Sequence, residues 1–110
     1  MKLIRAIIRP EREEAVLGRL EAAGLFAVTK MPVLGRGKQR GIQVGPVHYD
    51  ILSKSMLLLI VSEEEYPRAI AAIEQGAETG HPGDGKIFVQ EVSESYTIRT
   101  GEKTMEAVVR

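Results

Sequence analysis

Two short glycine-rich runs carry the residues best suited to chemistry. Gly35-Arg36-Gly37-Lys38-Gln39-Arg40-Gly41 interleaves glycine with cations, and Thr79-Gly80-His81-Pro82-Gly83-Asp84-Gly85-Lys86 ends on one. Glycine has no Cβ, so its backbone can turn with successive N–H groups exposed, and the neighbouring Arg and Lys supply the positive charge a phosphate needs. A further cation, Lys54, follows the first run. Each run alone reads equally well as a solvated loop or a connecting turn. The two together on one short chain predict a site for a phosphorylated ligand.

Other chemistries fit less well. Gly80 to Lys86 has the G-x-x-x-x-G-K spacing of a nucleotide-binding P-loop, but Ile87 stands where Ser or Thr would hold magnesium. The segment also leaves a predicted helix and enters a strand, the reverse of a P-loop. His48 and His81 are the only histidines, and neither has a Cys, His or carboxylate at ligand spacing, so both read as surface loop residues without a metal. No Ser-His-Asp, Cys-His or paired-carboxylate arrangement is recognisable, and catalysis is not indicated.

The 110 residues suit one domain, with oligomerisation helping to bury its surface. Acidic and basic residues balance at 15 each, which gives no overall field toward nucleic acid or an anionic membrane. Their distribution is uneven. Acids crowd the predicted helices, while Arg36, Lys38, Arg40, Lys54, Lys86, Arg99 and Lys103 crowd loops and strand ends. The absence of cysteine suits a reducing compartment, the N-terminus shows no export signal, and the longest apolar run, Met56 to Val61, is far too short to span a bilayer. Cytoplasm is the expected location.

These loops must be positioned by the elements around them. Leu3 to Arg9 reads as a strand with Ile4, Ala6 and Ile8 on one face and Leu3 and Ile7 on the other. Pro10 stops it and opens a helix to about Ala23, with Val16, Leu20 and Ala23 inward and Gly24 as C-cap. Phe26 to Leu34 is a second strand. Gly35 to about Ser53 loses all periodicity, a connection long enough to be functional. Met56 to Val61 is a central strand expected to be buried on both faces, and Ser62 with Glu65 forms a capping box. The helix it starts carries Tyr66, Ile70, Ile73 and Ala77, with Gly80 just past its end, and Ile87 to Val92 is the last strand. The order βαββαβ predicts an α+β, ferredoxin-like fold with two helices on one face of an antiparallel sheet. RNA-binding domains share that order, yet Phe88 stands alone where stacking aromatics would be needed. The second sheet face is too apolar for water, so subunits are expected to pack sheet to sheet.

Placed in this topology, the chain resembles the PII family of nitrogen-regulatory signal proteins over Met1 to Glu102. Thr79-Gly80, Gly83-Asp84-Gly85-Lys86-Ile87-Phe88-Val89 and Arg99-Thr100-Gly101-Glu102 stand as in that family, in order and at its spacing, and Ala6-Ile7-Ile8-Arg9-Pro10 and the Gly35 to Gly41 loop base agree. The resemblance implies one PII-like domain over residues 1–110, with an effector loop at about 36–53 and a C-terminal segment from about 95. It also implies a trimer with ATP or ADP in each inter-subunit cleft, and Mg²⁺ and 2-oxoglutarate beside the ATP.

By position, the resemblance puts Thr29, Gly35, Gly37, Lys38, Gln39, Gly83, Asp84, Gly85 and Lys86 around the nucleotide, with Arg99 reaching in from a neighbouring subunit. Gln39 would help hold Mg²⁺, and 2-oxoglutarate would meet Gln39, Gly41, Lys54 and Arg9. Arg40, Ile42, Gln43, Val44 and Tyr49 would form the partner-binding loop. The loop is shorter than in better-known members, Tyr49 lies near its base, where uridylylation is not expected, and Thr97 replaces a second phosphate-binding Arg of many members. The string Gly37 to Gly45 with Tyr49-Asp50 looks most like the nitrogenase-associated branch, which acts with a second PII paralogue and inhibits dinitrogenase when 2-oxoglutarate is low. A regulator of an ammonium transporter or glutamine synthetase is the alternative within the family. A small phosphate-handling hydrolase on the same fold is the alternative outside it.

Overall fold

The structure is a computed structural model describing residues 1–36, 42–44, 47–49 and 51–105, with no side-chain account of 42–44, 47–49 or Met105. The elements are β1 (Lys2–Ile8), a 3-10 turn (Pro10–Arg12), α1 (Glu13–Ala22), β2 (Thr29–Gly35), β3 (Ile42–Val44), β4 (Val47–Tyr49), β5 (Leu52–Val61), α2 (Tyr66–Ala77), β6 (Gly85–Glu91), β7 (Glu94–Tyr96) and β8 (Lys103–Met105). The main sheet has the order β2-β5-β1-β6, every neighbour antiparallel. With β1, α1, β2, β5, α2 and β6 as its framework, this is the expected α+β, ferredoxin-like βαββαβ arrangement.

The core follows from the alternation of side chains along strands. Ile4, Ala6 and Ile8 of β1 and Leu57, Leu59 and Val61 of β5 are buried against Val16 and Leu20 of α1 and Ala69, Ala72, Ile73 and Ala77 of α2. Helix packing is close enough that a Cβ on Gly76 would lie 2.7 Å from the Val16 Cα. The capping box forms as expected: Glu65 N–H donates to Ser62 Oγ at 3.1 Å and Ser62 N–H to Glu65 Oε1 at 2.9 Å. Gly24 closes α1 with φ of 83°.

Several expectations are corrected. Phe26 lies outside β2 and is 70 % exposed, because the chain leaving α1 first folds Leu25 into the core. The central strand begins at Leu52 and is buried on its helix side alone, with Ile60 48 % exposed opposite. Residues 36–53 are not all irregular, since β3 and β4 pair as a hairpin, which puts His48 in a strand rather than a loop. A second hairpin, β7 with β8, lies where the sequence showed no strands. α2 ends at Ala77 with Glu78 extended, which leaves Gly80 just past its end as expected.

The open sheet face mixes apolar side chains with Arg5, Lys54, Lys86 and Gln90. Leu3, Ile7, Met56 and Leu58 are half-buried there, and Met31, Ile60 and Phe88 are exposed. None of the described helices is long and apolar enough to cross a membrane.

Candidate functional site

Strand register builds one charged corner. Ile8 at the end of β1 faces Ser55 on one side and Gly85 on the other. Arg9, the next residue, therefore emerges beside Lys54 of β5 and beside Asp84, just before β6. Arg9 Nε donates to Asp84 Oδ1 at 3.2 Å and Arg9 Nη2 to the Pro82 carbonyl at 2.8 Å. Lys54 Nζ donates to the Gly83 carbonyl at 2.8 Å.

The loop between α2 and β6 is wound around Asp84. The Asp84 carboxylate accepts from the Thr79 N–H at 2.8 Å, the Gly80 N–H at 2.9 Å and the Thr79 hydroxyl. The Thr79 hydroxyl, its two backbone donors and Arg9 hold this carboxyl well below the usual carboxylate range. Gly80 and Gly83 take φ of 86° and 100° within that turn. Gly85 is the tightest point, with φ of 115° and room for no side chain: a Cβ would sit 1.8 Å from the Ile7 carbonyl oxygen. Burial, and then the adjacent Arg9 charge, pull Lys54 below its ordinary value.

Other expected site residues are placed as follows. Gly35 ends β2 opposite Leu52, at the same end of the sheet, and Lys86 is exposed on the open face opposite Ile7. Thr29 starts β2 on that face, some six residues or about 20 Å along the strand from Gly35. Arg99 is exposed in the turn between β7 and β8, which Thr97 N–H closes onto the Glu102 carbonyl at 2.8 Å. Ile42, Gln43, Val44 and Tyr49 lie in the β3–β4 hairpin. Gly37, Lys38, Gln39, Arg40 and Gly41 lie outside the described residues. One protomer thus brings together Arg9, Lys54, Gly83, Asp84 and Gly85, with Gly35 and Lys86 nearby, and leaves Thr29 apart.

Two residues were passed over in assigning roles from sequence. Thr79 anchors Asp84, and Pro82 lends its carbonyl to Arg9. The readable signal was a hydroxyl and a carboxylate five residues apart around glycines, a spacing suited to a local side chain to backbone turn. Chemically, the corner offers two cations and a glycine backbone on a rigid strand junction, suited to an anion. Among the described residues no three His, Cys, Asp or Glu groups converge as metal ligands.

The fold is that of a regulatory domain of the PII class: the model of the family "Nitrogen regulatory protein P-II" matches residues 1–102, and the chain belongs to that family. Its members are regulatory signal proteins and not enzymes. The chain is 53 % identical over 102 residues to the nitrogen fixation nifHD1 region GlnB-like protein 1 of Methanosarcina barkeri, covering 93 % of this chain and 97 % of that protein. It is 52 % identical over 103 residues to the nifHD region GlnB-like protein 1 of Methanobacterium ivanovii, covering 94 % and 98 %. Nitrogen regulatory protein P-II 2 of Methanothermobacter thermautotrophicus is 43 % identical over 112 residues, covering 98 % and 97 %. The chain is a PII-type nitrogen regulatory protein of the nif-region GlnB-like branch.

Proposed function

We propose that the protein senses ATP or ADP together with 2-oxoglutarate and controls nitrogen fixation by binding dinitrogenase through the loop at 36–53. The observation that carries this reading is the convergence of Arg9 and Lys54 on the Pro82–Asp84 loop, with Lys86 beside it. The donor set fits the ligands. Exposed Lys86 and the Gly83–Gly85 backbone suit phosphate, while Lys54 and Arg9 suit a small dicarboxylate. Gln39 and oxygens of the ligands themselves would complete the coordination of Mg²⁺. The Asp84 carboxylate, already engaged by Thr79, Gly80 and Arg9, acts by shaping the loop rather than by touching phosphate.

Thr29 and Arg99 would enter the site from a second copy, since Thr29 and Gly35 stand at opposite ends of β2. The open face, with its apolar side chains around Arg5, would supply the surface for a trimer, alone or mixed with a second PII paralogue. The names of the relatives, which place them in nif regions, favour dinitrogenase over an ammonium transporter or glutamine synthetase as target. The deciding experiment is calorimetric titration of 2-oxoglutarate with and without Mg-ATP, followed by capture of purified dinitrogenase. Acid binding that requires Mg-ATP is expected, because a dianion held through a nucleotide-bound metal couples the two ligands. Binding of neither ligand, with and without a co-expressed paralogue, would refute the sensor reading.

A further inference from the structure

One side chain of the Thr79–Gly85 loop takes no part in building it. His81 is exposed, and its imidazole has no hydrogen bond or ion pair with any described residue. Its backbone, by contrast, is held on both sides. The His81 N–H donates to the Thr79 hydroxyl at 3.3 Å, and the Thr79 and Gly80 N–H groups are themselves tied to Asp84. Pro82 follows, which disfavours helical backbone at His81, and the Pro82 and Gly83 carbonyls accept from Arg9 and Lys54. Two residues of chain span at most about 7 Å, so the His81 Cα lies within that distance of the Gly83 Cα. The imidazole is thereby carried next to the Gly83–Gly85 backbone from a fixed base.

The charged groups on the segments around this loop are of both signs. Arg9 comes from the end of β1, Lys54 from β5 and Lys86 from β6, while the acids are Asp84 in the loop, Glu78 just past α2 and Glu11 in the 3-10 turn. Asp84 is engaged by Thr79, Gly80 and Arg9, and Glu11 acts on Lys54 through its charge. Imidazole is the side chain whose ordinary charge change falls between about pH 5 and 8, and a nearby anion favours its protonated form. A polyphosphate seated on the Gly83–Gly85 backbone and Lys86 would bring several negative charges beside it.

On the basis of the nucleotide role proposed above, we infer that His81 is a further phosphate-binding residue of the corner, and that its protonation couples nucleotide binding to pH. Binding draws a proton from solvent onto the ring. The gain in affinity is complete below the ordinary imidazole pKa of about 6.5 and is lost as pH rises through the higher value of the bound state. The test is calorimetric titration of Mg-ATP into the parent, His81→Gln and His81→Lys at about pH 5.5 and about pH 8.5, either side of the imidazole range. The ratio of variant to parent Kd at each pH removes the titration of ATP itself. His81→Gln is expected to bind about tenfold more weakly than the parent at the lower pH and equally at the higher, the scale of one charge-assisted hydrogen bond. His81→Lys keeps its charge and should bind about tenfold more tightly than the parent at the higher pH. In NMR titrations the His81 ring, assigned by its loss in His81→Gln, should titrate about one pH unit higher with saturating Mg-ATP than without it, the linkage equivalent of tenfold in affinity. A His81→Gln to parent ratio that is the same at both pH values, with ATP still bound, would overturn the role of His81 and leave the nucleotide site standing. So would a ring that titrates alike with and without Mg-ATP, as it would if Glu78 already held its proton. Failure of all three proteins to bind ATP at either pH would remove the proposed nucleotide role, and that of His81 with it.

Discussion

Asp84 and Gly85 set the shape of the corner, and each does so by a different physical means. The Asp84 carboxyl is depressed by its Thr79, Gly80 and Arg9 donors, so its contribution to stability is complete above the ordinary carboxylate pKa. That contribution declines as pH falls from there through the lowered folded value. Asp84→Asn should consequently show a smaller loss of Tm than the parent between about pH 4 and pH 2 in thermal melts. Gly85→Ala combines a left-handed φ with a Cβ 1.8 Å from a backbone oxygen, and should cost about 3 kcal/mol or more in denaturant unfolding. If the proposed ligand roles hold, Lys54→Ala weakens 2-oxoglutarate by about 1.5–3 kcal/mol with less effect on ATP, and Arg99→Ala does the reverse. Equal losses of both ligands in calorimetry would undo that division.

Elements deliver these residues by register rather than by proximity in sequence. Ile8 pairs with Ser55 and with Gly85, so a slip of one residue in either pairing would turn Arg9 or Lys54 to the wrong face. The two helices hold that register by covering one face of the sheet. One close contact between them, Gly76 against Val16, leaves no space for a methyl group, and Gly76→Ala should destabilise by about 1–3 kcal/mol while leaving far-UV helicity largely intact. Ser62→Ala breaks the capping box of α2 and should cost about 1 kcal/mol in the same measurement.

For the molecule as a whole, the open sheet face is the dominant feature. Phe88 is 50 % exposed and Ile60 48 %, beside half-buried Leu3, Ile7, Met56 and Leu58, and together they surround Arg5, which donates to Gln90 at 2.9 Å; apolar side chains gathered on an uncovered face in this way mark an interface. Phe88→Glu places a charge there without touching the helix-side core. It should leave the circular dichroism of the protomer unchanged and shift sedimentation from trimer to monomer. An unchanged sedimentation coefficient would remove this face from the proposed assembly.

The alternation in β1, the capping box, Gly24 and the turn of the Thr79–Lys86 run were all legible in the sequence, because each rests on patterns among residues a few positions apart. Periodicity alone therefore determined the α+β order, and motif spacing determined the family. The β7–β8 hairpin and the true start of β5 at Leu52 were not legible, since three-residue strands carry too little alternation and Ser53 and Lys54 break the apolar pattern. Phe26 looked like strand because it is aromatic, whereas its neighbour Leu25 takes the core position. The meeting of Arg9, Lys54 and Asp84 was decided only by tertiary structure. These residues are separated by tens of positions, and antiparallel pairing of three strand ends is what brings their charges within hydrogen-bonding distance of one loop.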